Sequence, residues 1–219
     1  MNRIILIGIL SLFCGNIFAQ NYFPLMSKQA EDKLYKINIP YDEAISKEQI
    51  TLLLDTAFNN KIDSFCNKWY SKHLKTMEEP IIYSDKTNKE IIRFTWLRTF
   101  HEPIAIRIEN NNGICFIYWK KTNGQGGYEV GNLIVDKKKQ INIQQWNDIV
   151  KKLNESKFWK MPTNVPILGN DGAQWILEAK IGEKYYVVDR WSGKNSEIGQ
   201  FCLYLLKMTN LKIEKNKIY

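Results

Sequence analysis

The spacing of apolar residues predicts helices in the first third of the chain. An irregular arm over residues 20–46, which contains Pro24 and Pro40, precedes them. Apolar residues then recur at helical spacing from Lys47, and the spacing resumes after Asn59-Asn60, where we expect an interruption. The apolar positions are Ile50, Leu53, Leu54, Ala57 and Phe58 in the first stretch, and Ile62, Phe65, Cys66 and Trp69 in the second.

Beyond Pro80 the period of the pattern changes to two, which is typical of strands. Apolar and polar residues alternate over 93–96 and over 104–109. Asn112-Gly113 then predicts a tight hairpin into a third strand, Ile114 to Lys120. Because this strand is apolar on both faces, we expect it near the centre of the sheet. Residues 128–136 form the fourth predicted strand.

The last third of the chain predicts two helices and a second hairpin. Asn142 and Gln145 have the spacing of a capping box, and Trp146 begins an apolar stripe at helical spacing. Strands over residues 173–181 and 184–191 are joined by Gly182-Glu183, a two-residue loop. Ser196 precedes the final helical pattern and is its expected cap.

These elements predict an α+β fold. We expect an antiparallel sheet of about six strands with helices packed on one face, and a helical N-terminal third. Residues 20–219 would form a single domain, with the arm and helices in 20–90 and the sheet with two helices in 91–219.

The N-terminus has the order of residues found in an export signal. Arg3 is followed by an apolar run to Phe13 and by Ala19. The run is too short for a permanent membrane span, which needs roughly 20 residues. We therefore expect a signal peptide over 1–19, cleaved after Ala19, and a periplasmic or secreted protein. Two alternatives are a lipid anchor at Cys14, which bulky Phe13 disfavours, and a buried N-terminal segment.

The net charge of +8 comes mainly from scattered lysines. The one run, Lys137-Lys138-Lys139, falls where we expect a turn. A solvated surface is the favoured interpretation, and a patch for nucleic acid or anionic polysaccharide is the alternative. We expect no nucleic-acid partner and no further membrane-spanning segment.

Three cysteines, Cys66, Cys115 and Cys202, follow the predicted cleavage site. An exported protein can form disulfides, so one disulfide with a buried thiol is possible, and three buried thiols are the other arrangement. Their spacing suggests no metal site, and we expect no cofactor.

The most distinctive segment is the hairpin over residues 169–192. With Gly182-Glu183 as the turn, Trp175 lies opposite Arg190, which predicts a cation–π contact of about 0.5–2 kcal/mol. In one interpretation Asp189 and Arg190 tie the preceding loop to the sheet, and Asp171-Gly172 is only a turn. In the other, three carboxylates line a polar cleft with a tryptophan wall. The candidate ligand-binding residues are Asp171, Trp175, Glu178, Asp189, Arg190 and Trp191.

The same segment carries a resemblance to a family. Its two halves read G-x-D-G-x-x-W-x-L-E and Y-x-V-V-D-R-W-S, and the similarity extends over residues 158–192 from Phe158-Trp159. The pattern resembles one in uncharacterised secreted bacterial proteins, in which a proline often stands where this chain has Gly193. The resemblance implies an exported domain and no particular reaction.

Three functions remain possible from the sequence. The first is a non-catalytic module that binds a protein or polar ligand. It is supported by the lack of catalytic motifs, because His73 and His101 are far apart and no serine lies in a G-x-S-x-G motif. The second is a carboxylate-based hydrolase of an envelope polymer, which needs two of Asp171, Glu178 and Asp189 in one cleft. The third is a basic module for nucleic acid or anionic polysaccharide.

Overall fold

A computed structural model of the chain describes residues 21–26, 56–164 and 171–219, with side chains of the first helix described from Asp63 onward. The predicted signal peptide, most of the predicted arm and the start of the first predicted helix lie outside these residues.

The described residues form three α-helices, six strands and three short 3-10 turns. The helices are α1 (Thr56–Thr76), α2 (Ile143–Glu155) and α3 (Gly199–Lys207). The strands are β1 (Glu90–Arg98), β2 (Ile104–Asn111), β3 (Ile114–Thr122), β4 (Leu133–Ile141), β5 (Ala173–Ile181) and β6 (Lys184–Trp191). The 3-10 turns are Phe158–Lys160, Gly193–Asn195 and Lys215–Lys217.

The six strands form one antiparallel sheet in the order β4-β3-β2-β1-β5-β6. The α+β class and the six-stranded antiparallel sheet are therefore confirmed. The central position expected for β3 is wrong, because β3 lies next to the edge strand β4. Phe116 and Tyr118 on one face of β3 are only half-buried, so apolar residues on both faces of this strand do not indicate a central position.

Helices cover both faces of the sheet, which corrects the expectation of one covered face. α2 and α3 pack on the face that carries Trp96 and Trp175, here called the α2/α3 face. α1 packs Tyr70 and Leu74 on the opposite face, here called the α1 face. The reason is that β5 and β6 are apolar on both sides. Ile176 and Val187 face α1, whereas their neighbours Trp175 and Val188 face α2 and α3.

Local signals gave the element boundaries correctly where a specific turn or cap is present. Asn112 and Gly113 both have positive φ (51° and 87°), as the predicted tight turn requires. The Asn142 side chain accepts the backbone N–H of Gln145, and the Gln145 side chain accepts that of Asn142, which confirms the capping box.

Three other expectations about the elements are wrong. α1 continues through Asn59-Asn60, because two residues of modest helix propensity do not end a helix that is stabilised by packing. The Ser196 hydroxyl donates to the Gly193 carbonyl, and α3 begins later, at Gly199. Lys137 to Lys139 lie in β4, since an edge strand readily exposes lysines to solvent.

In the part of the chain that the structure describes, no helix is long and apolar enough to cross a membrane. Cys66, Cys115 and Cys202 are all free thiols, and the last two are buried. The described residues contain no group of three or more His, Cys, Asp or Glu side chains placed to hold a metal ion.

Candidate functional site

Trp175 and Arg190 face each other across β5 and β6 as predicted, but both serve the packing of the domain. Trp175 is fully buried, and its indole N–H donates to the Tyr219 carbonyl at 2.7 Å. Arg190 donates to the carbonyls of Pro162 and Thr163, at 3.0 and 3.3 Å. Among the ring contacts of the described residues, the predicted cation–π pair is absent. Arg190 therefore ties the loop before β5 to the sheet.

Asp189 lies on the α1 face, under α1, and is only 4% exposed. The Tyr70 hydroxyl donates to its Oδ2 atom at 2.9 Å, and the Asp189 backbone N–H donates to the Thr163 carbonyl at 2.7 Å. Burial raises the pKa of Asp189 from 3.8 to about 7, against the opposing effects of the Tyr70 hydrogen bond and the Arg190 charge. This carboxyl is thus protonated over part of the neutral range.

Glu178 also lies on the α1 face, where it is held by Arg93. Its Oε2 atom accepts from Arg93 Nη2 at 2.8 Å and from Arg93 Nε at 3.1 Å, and both side chains are fully buried. Arg93 donates in addition to the Pro80 carbonyl at 2.7 Å and lies 3.5 Å from Glu79. Burial raises the pKa of Glu178 in spite of the nearby Arg93 charge. The main role of this pair is therefore structural, because Arg93 joins Glu178 in β5 to the Pro80 carbonyl and Glu79 before β1.

Asp171 and Trp191 lie near the adjoining ends of β5 and β6. Asp171 is exposed with a φ of 43°, and Trp191 is partly buried. The Trp191 ring covers Gly172 so closely that a Cβ there would lie 2.5 Å from ring atoms. The six predicted residues are thus divided between the two faces and the strand ends, and their contacts match the structural interpretation of the motif.

A polar pocket of about 450 Å³ lies at one end of the sheet, where two hairpin turns stand close together. The turn at Asn112 joins β2 to β3, and the turn at Gly182-Glu183 joins β5 to β6. Because β1 lies between β2 and β5, the segment over residues 83–90 that leads into β1 passes between these turns. Three segments far apart in sequence therefore form the walls of one pocket.

The pocket combines aromatic rings with many hydrogen-bonding groups. The lining residues are the tyrosines Tyr83 and Tyr185, the amides Asn88, Asn110 and Asn112, the acids Asp85, Glu90 and Glu183, the lysines Lys86 and Lys180, and Thr87 and Gly182. Three acidic and two basic side chains nearly balance, so the lining does not select for a highly charged ligand. Its volume falls within the range of about 300–1,000 Å³ that ligand pockets occupy.

Buried hydrogen bonds fix the segment that enters β1. Lys180 is 8% exposed and donates from Nζ to the carbonyls of Thr87 and Lys89, with Asp85 at 3.5 Å. The Thr87 backbone N–H donates to Asp85 at 2.6 Å. Burial alone would raise the pKa of Asp85, but its hydrogen bonds with Thr87 and the Lys180 charge outweigh this and lower it. These hydrogen bonds hold the wall of the pocket in place.

Two tyrosines and a hydrogen-bonded amide–carboxylate pair supply the groups that a ligand would meet. Tyr83 is 39% exposed, and its ring meets the Tyr185 ring edge-on at 6.2 Å between centroids. The Tyr185 hydroxyl donates to Glu178 at 3.3 Å, and burial, followed by the Glu178 charge, raises the pKa of Tyr185 well above its usual value. Asn110 Nδ2 donates to Glu90 at 3.0 Å. The Tyr185 hydroxyl thus connects this wall of the pocket to the buried Arg93–Glu178 pair.

Sequence reasoning missed this pocket. Its local signals were the two turns and Arg93, a charged residue within the otherwise apolar and buried strand β1. No known protein family matches the chain, and no curated protein shows detectable similarity to it.

Proposed function

We propose that the protein is a non-catalytic binding module for a polar, largely uncharged ligand of the carbohydrate type, which it holds at the end of the sheet. The observation that carries the proposal is the meeting of Tyr83 and Tyr185 with amide and carboxylate side chains in one ordered, open pocket.

The chemistry of the pocket matches that of a sugar. A sugar ring has an apolar face of C–H groups, which packs on an aromatic ring, and a rim of hydroxyls that both donate and accept hydrogen bonds. An exposed Tyr83 ring offers the first surface, and Asn88 with Glu90 and Glu183 offers acceptors and donors for the second. The near balance of acids and lysines favours a neutral ligand over a highly charged one.

The alternative function, a carboxylate-based hydrolase of an envelope polymer, has less support. That mechanism needs two carboxylates on either side of a bond to be broken. Of the three predicted residues, Glu178 is engaged by Arg93 and Asp189 by Tyr70 under α1, and Asp171 is exposed near the start of β5. Glu178 and Asp189 are therefore engaged inside the domain and lie apart from the exposed Asp171, which supports binding over hydrolysis by these residues.

We also propose that the protein acts outside the cytoplasm. The apolar run that ends at Phe13 and the small residue Ala19 support export through a signal peptide over 1–19. A periplasmic or secreted location would place the pocket next to envelope polysaccharides. The resemblance of residues 158–192 to secreted bacterial proteins is consistent with this location.

Isothermal titration calorimetry with soluble envelope oligosaccharides tests the proposed function. The Tyr83→Ala variant should lose about tenfold in affinity, because burial of roughly 50 Å² of apolar ring surface contributes about 1.3 kcal/mol and about 1.4 kcal/mol is a factor of ten. Tyr128→Ala is the matched control, because Tyr128 is 59% exposed on the loop between β3 and β4. It should bind as the wild type does.

Equal losses in the two variants, or binding that Tyr83→Ala leaves unchanged, would contradict the pocket. The same mixtures should be analysed for cleavage products after prolonged incubation. Cleavage that Glu90→Gln or Glu183→Gln abolishes would replace the binding proposal by a hydrolase at this same site.

A further inference from the structure

A second open cavity, of about 380 Å³, lies on the α1 face over β2, β3 and β4. Its walls come from strands and not from the turns, so it is distinct from the pocket described above. Four of its six lining residues are basic and one is acidic. They are Arg107, Lys120, Lys137 and Lys138, with Asp136 and Tyr118.

Arg107 at the bottom of this cavity is held rigidly. It is 7% exposed, and its guanidinium lies over the Tyr118 ring, 4.1 Å from the centroid. Arg107 Nε donates to Glu79 at 2.8 Å, and Nη1 donates to Glu109. Within the described residues, Nη2 makes no hydrogen bond to the protein. A fixed guanidinium thus retains donor capacity on the cavity side.

The other basic groups differ in how far they are neutralised. Lys120 is 6% exposed, donates to the Met77 carbonyl at 2.7 Å and lies 3.8 Å from Asp136. Lys138 is exposed, and its Nζ lies 5.7 Å from the centroid of the Phe116 ring. Among the described residues Lys138 forms no ion pair. It is therefore free to follow a ligand at the mouth of the cavity.

The buried charges beneath the cavity balance one another. Arg93, Arg107 and Lys120 are matched there by the three acids Glu79, Glu109 and Glu178. Lys137 pairs with Trp119 and faces the other side of the sheet, so the preference for an oxyanion rests on two local donors, Arg107 Nη2 and Lys138 Nζ. An oxyanion can accept from a guanidinium and an ammonium group together, which is among the stronger hydrogen-bonding arrangements in proteins.

We infer that this cavity is a binding site for an oxyanion group of a ligand, held between Arg107 Nη2 and Lys138 Nζ. Carboxylates, phosphates and sulfates share this chemistry. The site is independent of the proposed sugar pocket, because no residue lines both cavities.

Titration of the ¹⁵N-labelled full-length protein with sodium phosphate and, separately, with sodium acetate tests this inference. The ionic strength is held constant with sodium chloride, so that general screening does not change. We expect saturable shifts of the backbone amides around Tyr118 and Lys138 with at least one of the two anions. The anion that saturates distinguishes a tetrahedral from a planar oxyanion.

The Lys138→Gln variant should lower the affinity about fivefold, as expected for the loss of one charge-assisted contact. Lys139→Gln is the matched control, because Lys139 is the next residue of β4 and faces the opposite side of the sheet. The affinity of this variant should stay within about twofold of the wild type, because it loses the same charge as Lys138→Gln but no contact with the anion. Shifts that do not saturate with either anion, or equal effects of the two substitutions, would overturn the assignment.

Discussion

Replacing Asp189 with asparagine should stabilise the protein at about pH 8 and leave its stability at about pH 4 nearly unchanged. The carboxyl is 4% exposed, and its pKa is raised from 3.8 to about 7 in the folded state, mainly by burial. Between these two pKa values the folded protein keeps a proton that the unfolded chain has lost. The contribution of this group to stability is therefore complete below about pH 4 and is lost as the pH rises to about 7.

The magnitude follows from the difference between the two pKa values. A change from 3.8 to about 7 at 1.36 kcal/mol per pKa unit gives an upper limit of about 4 kcal/mol. Asparagine is uncharged at every pH and can accept the Tyr70 hydroxyl as the carboxyl does. The free-energy difference between variant and wild type should thus grow from near zero at about pH 4 towards this limit at about pH 8.

Urea unfolding followed by tryptophan fluorescence across this pH range measures the difference directly. Asp171→Asn is the control, because Asp171 is exposed at the entry to β5 and its substitution should change stability little at either pH. A difference for Asp189→Asn that stays constant with pH would refute the reasoning. So would a variant that is less stable than the wild type at about pH 8, since the ionised carboxylate would then be stabilising.

Two further substitutions test the packing around the hairpin. Glu178→Gln should cost about 3–5 kcal/mol in urea unfolding, because it breaks the buried pair with Arg93, whereas Glu183→Gln on the exposed turn should cost little. Gly193→Ala should cost about 1–3 kcal/mol, since a Cβ would lie 2.7 Å from Trp175 Cβ and Cγ; a variant as stable as the wild type would contradict this close packing.

The hairpins and the capped helix could be predicted because their signals are local. Positive φ at Asn112 and Gly113 is a property of two adjacent residues, and the reciprocal bonds of Asn142 and Gln145 span three positions. The register of β5 and β6 followed from the turn at Gly182-Glu183 alone.

The faces of the sheet could not be predicted, because they depend on contacts distant in sequence. Nothing near Tyr70 indicates that it meets Asp189, and the two are 119 positions apart. The sequence predicts a turn at 137–139 because its fourth strand ends at residue 136, whereas β4 (Leu133–Ile141) continues through the lysines. Lysine side chains are as exposed to solvent in an edge strand as they would be in a turn.

The candidate site was missed for a related reason. The motif over 169–192 is distinctive because Trp175 packs in the core and Arg190 ties the loop before β5 to the sheet. These structural roles restrict the residue type as strongly as ligand binding would. The pocket residues are ordinary polar residues in three separate segments. Only the strand order, which places β1 between the two hairpins, brings Tyr83 to Glu183 and Asn110.

The most direct test of the central claim is to map the binding of a neutral envelope oligosaccharide on the ¹⁵N-labelled protein by amide chemical shifts. The account predicts saturable changes confined to residues 83–90, the turn at Asn112 and the turn at Gly182-Glu183. Changes centred instead on Asp171 and Trp191, or no saturable change with any neutral oligosaccharide of the envelope, would contradict it.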